Sequence, residues 1–474
     1  WFFAKNLHRE LDVPIGILHS SWGGTSILAW TNERALNDFK DSLALAAIPE
    51  ISYDSRTWAS KVRESIEAHR LRRNQISYPD PEVKKKLLDP AYDASQLPVV
   101  NFLANEKIQG QVSWLIRKID LPVGSLNDLE LGLGFLNRQS HLYWNGKELG
   151  YFQYPAPVKT VIPGEWVRNG ENVLVIRLAN PFGDAAVVGT PEAFFLRQRE
   201  GIFNLSLDKH WAVAQHMETI SPAQPLTVNR PGYLYNGMIA PFIPYGIKGF
   251  IWDQGSADAS RPILYAQLFQ RLITDWRAVW QDDRLPFLFV QNTSTFTSHN
   301  FEKRSFVRSH LREAQEKALQ LPETAMVVSI DLGDPYDVHP KNKQEFGRRL
   351  ALQALQKVYN KGVAADGPFY DFHYLKGDTV VVKVKGSSNL LMKNSVNPCG
   401  FELAGKDGIF YPANIWLQEN DIHLFAPDVR ELQVLRYAWG ENPRACIFNK
   451  EGLPLAPFRV AVRDSGREGM ANRL

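Results

Sequence analysis

The spacing of apolar positions changes period along this chain, and the changes divide it into sections. Residues 1–11 read as an amphipathic helix. Residues 13–19 are a short apolar run, which predicts a strand leading into Ser20-Ser21-Trp22-Gly23-Gly24-Thr25 and a helix from about Ser26. Residues 58–76 return to helical spacing, and 77–98, with its prolines and lysines, reads as an irregular connector. From about Asn101 to Gln198 period two takes over, in 112–119, 129–133, 141–144 and 173–178, separated by the turn pairs Asn145-Gly146 and Asn169-Gly170. Strands so spaced, without helices between them, predict a β-sandwich of about 100 residues.

After about Gly201 strands and helices alternate again: strand 248–252, helix 259–280, strand 286–290, helix 306–319. The segment 325–359 completes the series. Its apolar run Met326–Ile330 predicts a buried strand. An acid-rich loop with Asp331, Asp334, Asp337 and His339 follows, and then a helix with Phe346, Leu350, Ala354, Leu355 and Val358 on one face. Residues 369–463 are strand-dominated, with runs at 379–384, 422–425 and 432–437. A sandwich between two α/β pieces is most simply an insertion into one α/β domain. The expected division is therefore 1–98 and 201–366 for the α/β domain, 99–200 for the insert and 367–474 for a C-terminal β domain.

Open α/β sheets collect ligands at the carboxyl ends of their strands. Four such ends are expected here. They carry Gly23 and Gly24; Gln254, Gly255, Ser256 and Asp258; Gln291 and Asn292; and Asp334, Asp337 and His339. Glycines before a helix start expose backbone N–H groups that suit an oxyanion, and Asn or Gln side chains nearby add donors. A histidine beside a carboxylate is the arrangement a general base needs. The competing reading of the 331–340 loop is a helix entry whose acids cap the first turn and whose histidine is solvated. Donor loops together with a carboxylate–histidine pair point to acyl transfer by a serine-type hydrolase.

Composition narrows the field. The 474 residues exceed one core, and 44% apolar with 22% charged content is that of a globular protein. A net charge of +3 gives no electrostatic case for nucleic acid, and the clusters Arg70–Arg73 and Lys84–Lys86 read as solvated faces. No apolar run approaches the ~18 residues of a membrane span. His339 has no partner histidine at a ligand spacing, and no phosphate-binding glycine motif follows a strand, so neither a metal nor a nucleotide cofactor is expected. The two cysteines, Cys399 and Cys446, exclude a disulfide framework; a single pair and two free buried thiols both remain open. The tryptophans of the β sections, such as Trp144 and Trp439, read as core more than as sugar platforms.

These residues resemble the sialate O-acetylesterase branch of the SGNH (GDSL-type) hydrolases. The likeness rests on Ser20-Ser21-Trp22-Gly23-Gly24-Thr25 with Ala29-Trp30, and on Tyr235-Asn236-Gly237-Met238-Ile239-Ala240-Pro241. It continues in Asp331-Leu332-Gly333-Asp334 with Asp337-Val338-His339-Pro340, and in Arg436-Tyr437-Ala438-Trp439 and 452–459. The resemblance implies a flavodoxin-like three-layer α/β/α domain, interrupted by a jelly-roll sandwich and followed by a β domain. It implies an esterase removing O-acetyl groups from sialic acid or a related glycan without a metal, in a periplasmic or extracellular setting. By the same resemblance His339 is the general base, Asp337 or Asp334 its partner, and Gly23 or Gly24 an oxyanion donor. Gln254, Gly255, Asp258 and Asn236 would adjoin the substrate.

Two departures accompany it. The family's nucleophilic serine lies in a Gly-Gln-Ser-Asn-Met-like block ahead of the opening helix; the chain has no such block, opens inside a helix without an initiator methionine, and reads as N-terminally incomplete. No nucleophile is assigned in it. Where the family has Tyr-Gln-Gly-Glu-Ser-Asn the chain has Asp253-Gln254-Gly255-Ser256-Ala257-Asp258, so a carboxylate is expected where an amide would donate. The alternative reading is a catalytically inactive glycan-binding or scaffold relative on the same fold.

Overall fold

A computed structural model describes residues 1–37, 39, 55–104, 108–122, 127–136, 139–153, 156–180, 187–198, 203–222, 227–295, 306–334, 338–386, 389–393, 399–443 and 445–462. The chain divides into two compact units, Ser52–Thr227 with Ser298–Asn300, and Trp1–Ile51 with Val228–Thr297 and Phe301–Leu474.

The smaller unit is an antiparallel sandwich. One sheet runs in the order Val99–Val100, Trp211–Gln215, Val112–Leu121, Gly170–Ala179, Gln139–Trp144, Lys147–Gln153; the other in the order Asn204–Ser206, Phe194–Gln198, Leu129–Leu133, Lys159–Ile162. Leu115, Leu131, Trp144, Leu174, Phe194 and Trp211 fill the space between the sheets. The Asn145-Gly146 pair, both residues at positive φ, closes the two-residue hairpin with Trp144 opposite Lys147, as its chemistry requires. Val112–Leu121 does not alternate: its first six residues are all buried. Its outer face is also covered, because Trp114, Ile116 and Tyr143 pack with Leu87. Leu87 ends the helix Pro81–Leu87, which lies inside the stretch expected to be irregular and is capped by Asp80 through Glu82 N and Val83 N. Arg177, fully buried, forks onto Glu218 at 2.7 Å and also donates to the Gln75, Ile76 and Tyr78 carbonyls, so the end of the helix Ser55–Ser77 belongs to this unit.

In the larger unit the strands Phe250–Trp252, Phe287–Val290 and Thr324–Val327 form a parallel sheet in that order. Alternate side chains go to opposite faces. Phe287, Phe289 and Met326 meet the helix Pro262–Trp280 and the helix Val307–Glu316. Leu288, Val290, Ala325 and Val327 meet the helices Phe2–Leu11 and Lys343–Lys357. Burial on both faces explains why these strands read as continuous apolar runs. The long helix presents Phe346, Leu350, Ala354 and Leu355 inward, as its spacing predicted, and starts at an Asn342 cap. The strand expected at 13–19 is not formed among the described residues: Val13, Ile17 and Leu18 are exposed and join no ladder. A strand is completed by a neighbour's hydrogen bonds, and β-branched composition supplies none of them.

The C-terminal part of this unit is a β module of two four-stranded sheets and a two-stranded one, Leu390–Met392 with Ile447–Asn449. One four-stranded sheet holds Phe369–Lys376, Thr379–Lys385, Asp421–Phe425 and Asn414–Gln418; the other holds Phe410–Pro412, Phe401–Ala404, Val434–Tyr437 and Phe458–Ala461. Tyr370, Val380, Phe401, Tyr437 and Phe458 pack between them. Cys399 and Cys446 form a disulfide, which settles the alternative left open by the sequence.

Candidate functional site

The three parallel strands end in the loops that carry the polar residues. At the first end Asp258 is 2% exposed and accepts four hydrogen bonds: from Ser26 Oγ at 2.6 Å, Ile27 N at 2.7 Å, Gln254 Nε2 at 2.7 Å and Arg261 Nη2 at 2.7 Å. It therefore caps the helix Ile27–Trp30 and ties it to the strand end. The carboxylate is turned inward and its charge is matched by Arg261. Gln254 Nε2 also donates to Thr25 O at 2.9 Å, which holds the Gly23–Gly24 turn against the end of Phe250–Trp252. Both glycines are exposed; Gly24 has φ +74° and neither has a heavy atom within 4 Å of where a Cβ would stand.

The neighbouring serines divide. Ser20 Oγ donates to Met238 O at 2.8 Å, whereas Ser21 Oγ and His19 Nε2 are 2.7 Å apart on an exposed loop. Asn236 is exposed, in the helical turn Tyr235–Ile239.

Gln315, fully buried, couples the first strand end to the second. Its Nε2 donates to Gln254 O at 3.1 Å and its Oε1 accepts from Asn292 N at 2.7 Å. Gly255, at φ +150°, lies against Gln315 and Leu311, where a Cβ would come within 3.2 and 3.3 Å. Asn292 Nδ2 donates to Ser256 Oγ at 2.8 Å, and Arg308 Nη1 donates to Asn292 Oδ1 at 2.7 Å and to Ser256 Oγ at 3.2 Å. Arg312 donates to four carbonyls, those of Asn292, Thr293, Gly440 and Glu441. Burial first, and then the neighbouring Arg308, push its guanidinium down to about 9, against the pull of Glu441.

The third end is fixed from two sides. Asp331 forks onto Arg349 at 2.6 and 2.7 Å. Ser294 Oγ donates to Ile330 O at 2.5 Å, and Gly333 lies so close that a Cβ would stand 1.9 Å from Ser294 O. Asp334 is half-buried in this loop and His339 is exposed beyond it; Asp337 lies outside the described residues. Lys343, at the start of the next helix, acts on Asp253 at the first strand end. Asp253 is open to solvent on one side, yet the protein around it raises its carboxyl above the ordinary range, with Lys343 opposing. The first strand end is thus hydrogen-bonded to the Gly23–Gly24 turn through Gln254 and Thr25.

Glycine, glutamine and asparagine donors are expected here from sequence; Arg308, Arg312, Gln315 and Glu441 are not among them. Their signal was present, since Arg308, Arg312 and Gln315 recur at helical spacing beside Leu311. Polar side chains at that spacing usually mark a solvated face, and only the packing shows that this face is buried.

Residues 224–356 match the family of carbohydrate esterases described as sialic acid-specific acetylesterase. The chain is 34% identical to the sialate O-acetylesterase of Mus musculus over 157 residues, 29% of this chain and 29% of that one. It is 30% identical to the sialate O-acetylesterase of Homo sapiens over 268 residues, 50% of each. Over the matched part, residues 224–356, the chain is similar to the sialate O-acetylesterases. The alignments to the mouse and human members span 29% and 50% of those proteins' own lengths. The crystal structure of a carbohydrate acetylesterase from Xanthomonas citri is also similar, with 23% identity and a TM-score of 0.45, covering 70% of this chain and 95% of that one. The family match takes in all three strand ends, the Arg308–Arg312 helix and His339; Gly23, Gly24 and Glu441 lie outside it.

Proposed function

We propose that this chain is a carbohydrate O-acetylesterase, acting on the O-acetyl groups of sialic acid or a related glycan on an SGNH-type α/β/α scaffold. His339 is the general base, with Asp334 or Asp337 as its carboxylate partner. The exposed Gly23 or Gly24 N–H is the oxyanion donor. The sandwich, a jelly roll in this reading, and the four-part division at 98, 200 and 366 belong to the same proposal. So does an extracytoplasmic location, which the Cys399–Cys446 disulfide supports because such bonds persist in oxidising compartments.

The observation that supports it is the hydrogen bond from Gln254, at a strand end inside the segment matched to the esterase family, to Thr25, which follows the exposed glycine turn. In acyl transfer an imidazole takes the proton of the attacking hydroxyl and returns it to the departing alcohol. Donors fixed in advance hold the charge that develops on the acyl oxygen. No serine of this chain is assigned as nucleophile in this reading.

The test is hydrolysis of p-nitrophenyl acetate and of an O-acetylated sialoside by the chain and by His339→Ala. A drop of about 10²–10⁴-fold is expected from loss of a general base. Undiminished hydrolysis by the variant removes His339 from the role, and absence of turnover with glycan binding retained returns the non-catalytic reading.

A further inference from the structure

The helix Val307–Glu316 brings two arginines beneath the second strand end, where among the described residues one buried carboxylate is paired with them. Arg308 is 5% exposed and Arg312 1%. Among the described residues the carboxylate paired with them is Glu441, whose Oε2 stands 3.5 Å from Arg308 Nε and whose Oε1 accepts from Arg308 N at 3.0 Å. Asp258, the other buried acid at these strand ends, is matched by Arg261. Among the described residues, then, two buried cations face one buried anion, a surplus of positive charge where water screens it poorly. Arg308 Nε, moreover, makes no hydrogen bond.

The proton inventory shows where the surplus is presented. A guanidinium only donates, so the atom of Asn292 that faces Arg308 must be its Oδ1, and the Asn292 amide group must face Ser256. Ser256 Oγ then accepts from both Asn292 Nδ2 and Arg308 Nη1. Its own proton is directed away from both. The second Asn292 amide proton has no acceptor among the described residues either. Ser256 is exposed and Asn292 half-exposed, so two outward donors, backed by a buried guanidinium, stand at the mouth of the strand ends.

We infer that Ser256, Asn292 and Arg308 form an anion subsite that takes the carboxylate of an acidic sugar. The inference rests on the esterase reading for the kind of ligand, and its new content is the residues that hold the acid group. Ser256 and Asn292 supply the hydrogen bonds and Arg308 the charge. Neutral sugars would leave the surplus uncompensated.

The experiment is calorimetric titration of the intact chain with N-acetylneuraminic acid, with its methyl ester and with inorganic phosphate. A charge-assisted hydrogen bond is worth about 1.5–3 kcal/mol, so the acid is expected to bind at least about tenfold more tightly than its ester. Asn292→Asp, which sets a carboxylate of the same shape beside Arg308, is expected to erase that preference. Ser256→Ala, at an exposed position, is expected to weaken the acid about tenfold and leave the ester's affinity unchanged; it provides the reading if the first variant fails to fold. Equal binding of acid and ester, no binding of either, or a preference that survives these changes would overturn the subsite. Phosphate binding as tightly as the sugar acid would show a site that reads charge alone and overturn the sugar assignment. Hydrolysis of neutral p-nitrophenyl acetate, assayed separately on the unaltered chain, reports on the esterase reading whatever the titrations give.

Discussion

At the scale of single residues, the polar side chains at the strand ends hold the loops as well as bordering open space. Asp258 is the clearest case, because its carboxylate accepts from Ser26, Ile27 and Gln254, which join the segment after the Gly23–Gly24 turn to the strand end. Asp258→Ala removes the cap of Ile27–Trp30 and leaves Arg261 without its partner. Arg261 is exposed and stays solvated, so the cost is that of the lost cap, about 0.5–2 kcal/mol, with a further contribution of about 1–3 kcal/mol from the buried donors left without an acceptor. The expected outcome is a lower urea midpoint of that order, with the slope of the transition unchanged. From sequence, Asp258 had the look of a substituted oxyanion residue. Its inward turn is set by Ser26, 232 positions away, and no local pattern carries that information.

At the scale of elements, the helix Lys343–Lys357 anchors the loop before it electrostatically. Glu345 pairs with Arg348 and Arg349, and Arg349 in turn forks onto Asp331. Burial alone would raise the Glu345 carboxyl, but its bonds to Arg348 and Arg349 outweigh that and hold it below the ordinary carboxylate range. A lowered folded value means that this pairing contributes stability above the unfolded carboxylate pKa, and that the contribution is lost as pH falls through the folded value. Glu345→Gln is therefore expected to lower the melting temperature at pH 7 and to show a smaller additional loss between about pH 5 and pH 3 than the parent. Thermal melts across that range check it. Element types were largely legible. The buried parallel strands, the face of the long helix and the Asn145-Gly146 hairpin all follow from period and turn chemistry. The helix Pro81–Leu87 was missed because its prolines and lysines resemble a connector, yet Pro81 stands at the first helical turn, where it is tolerated, after an Asp80 cap.

At the scale of the whole molecule, the β module contributes to the candidate site through one turn. Gly440 and Glu441 clasp the start of Val307–Glu316, accepting from Arg308, Ser309 and Arg312. Within that module the Cys399–Cys446 disulfide closes a loop across a separation of 47 residues. In the chain-entropy account a crosslink over such a loop stabilises by about 4 kcal/mol, within an observed range of about 2–5. The Cys399→Ser, Cys446→Ser double variant, or the parent under reductant, is accordingly expected to unfold at a lower temperature by calorimetry. Equal melting of oxidised and reduced protein would show that the bond adds nothing.

The sequence by itself determined the period of each section, hence which stretches pack as strands or helices, and it carried the likeness matched over residues 224–356. Those are local properties, fixed by the spacing of side chains along a backbone of known pitch. Only the tertiary structure decided which polar groups are spent on one another and which face outward: Asp258 on Ser26, Arg312 on four carbonyls, the Ser256 proton turned away from Arg308. Hydrogen-bond partners and charge balance are relations between distant segments, and burial, which gives them their strength, exists only once those segments have packed.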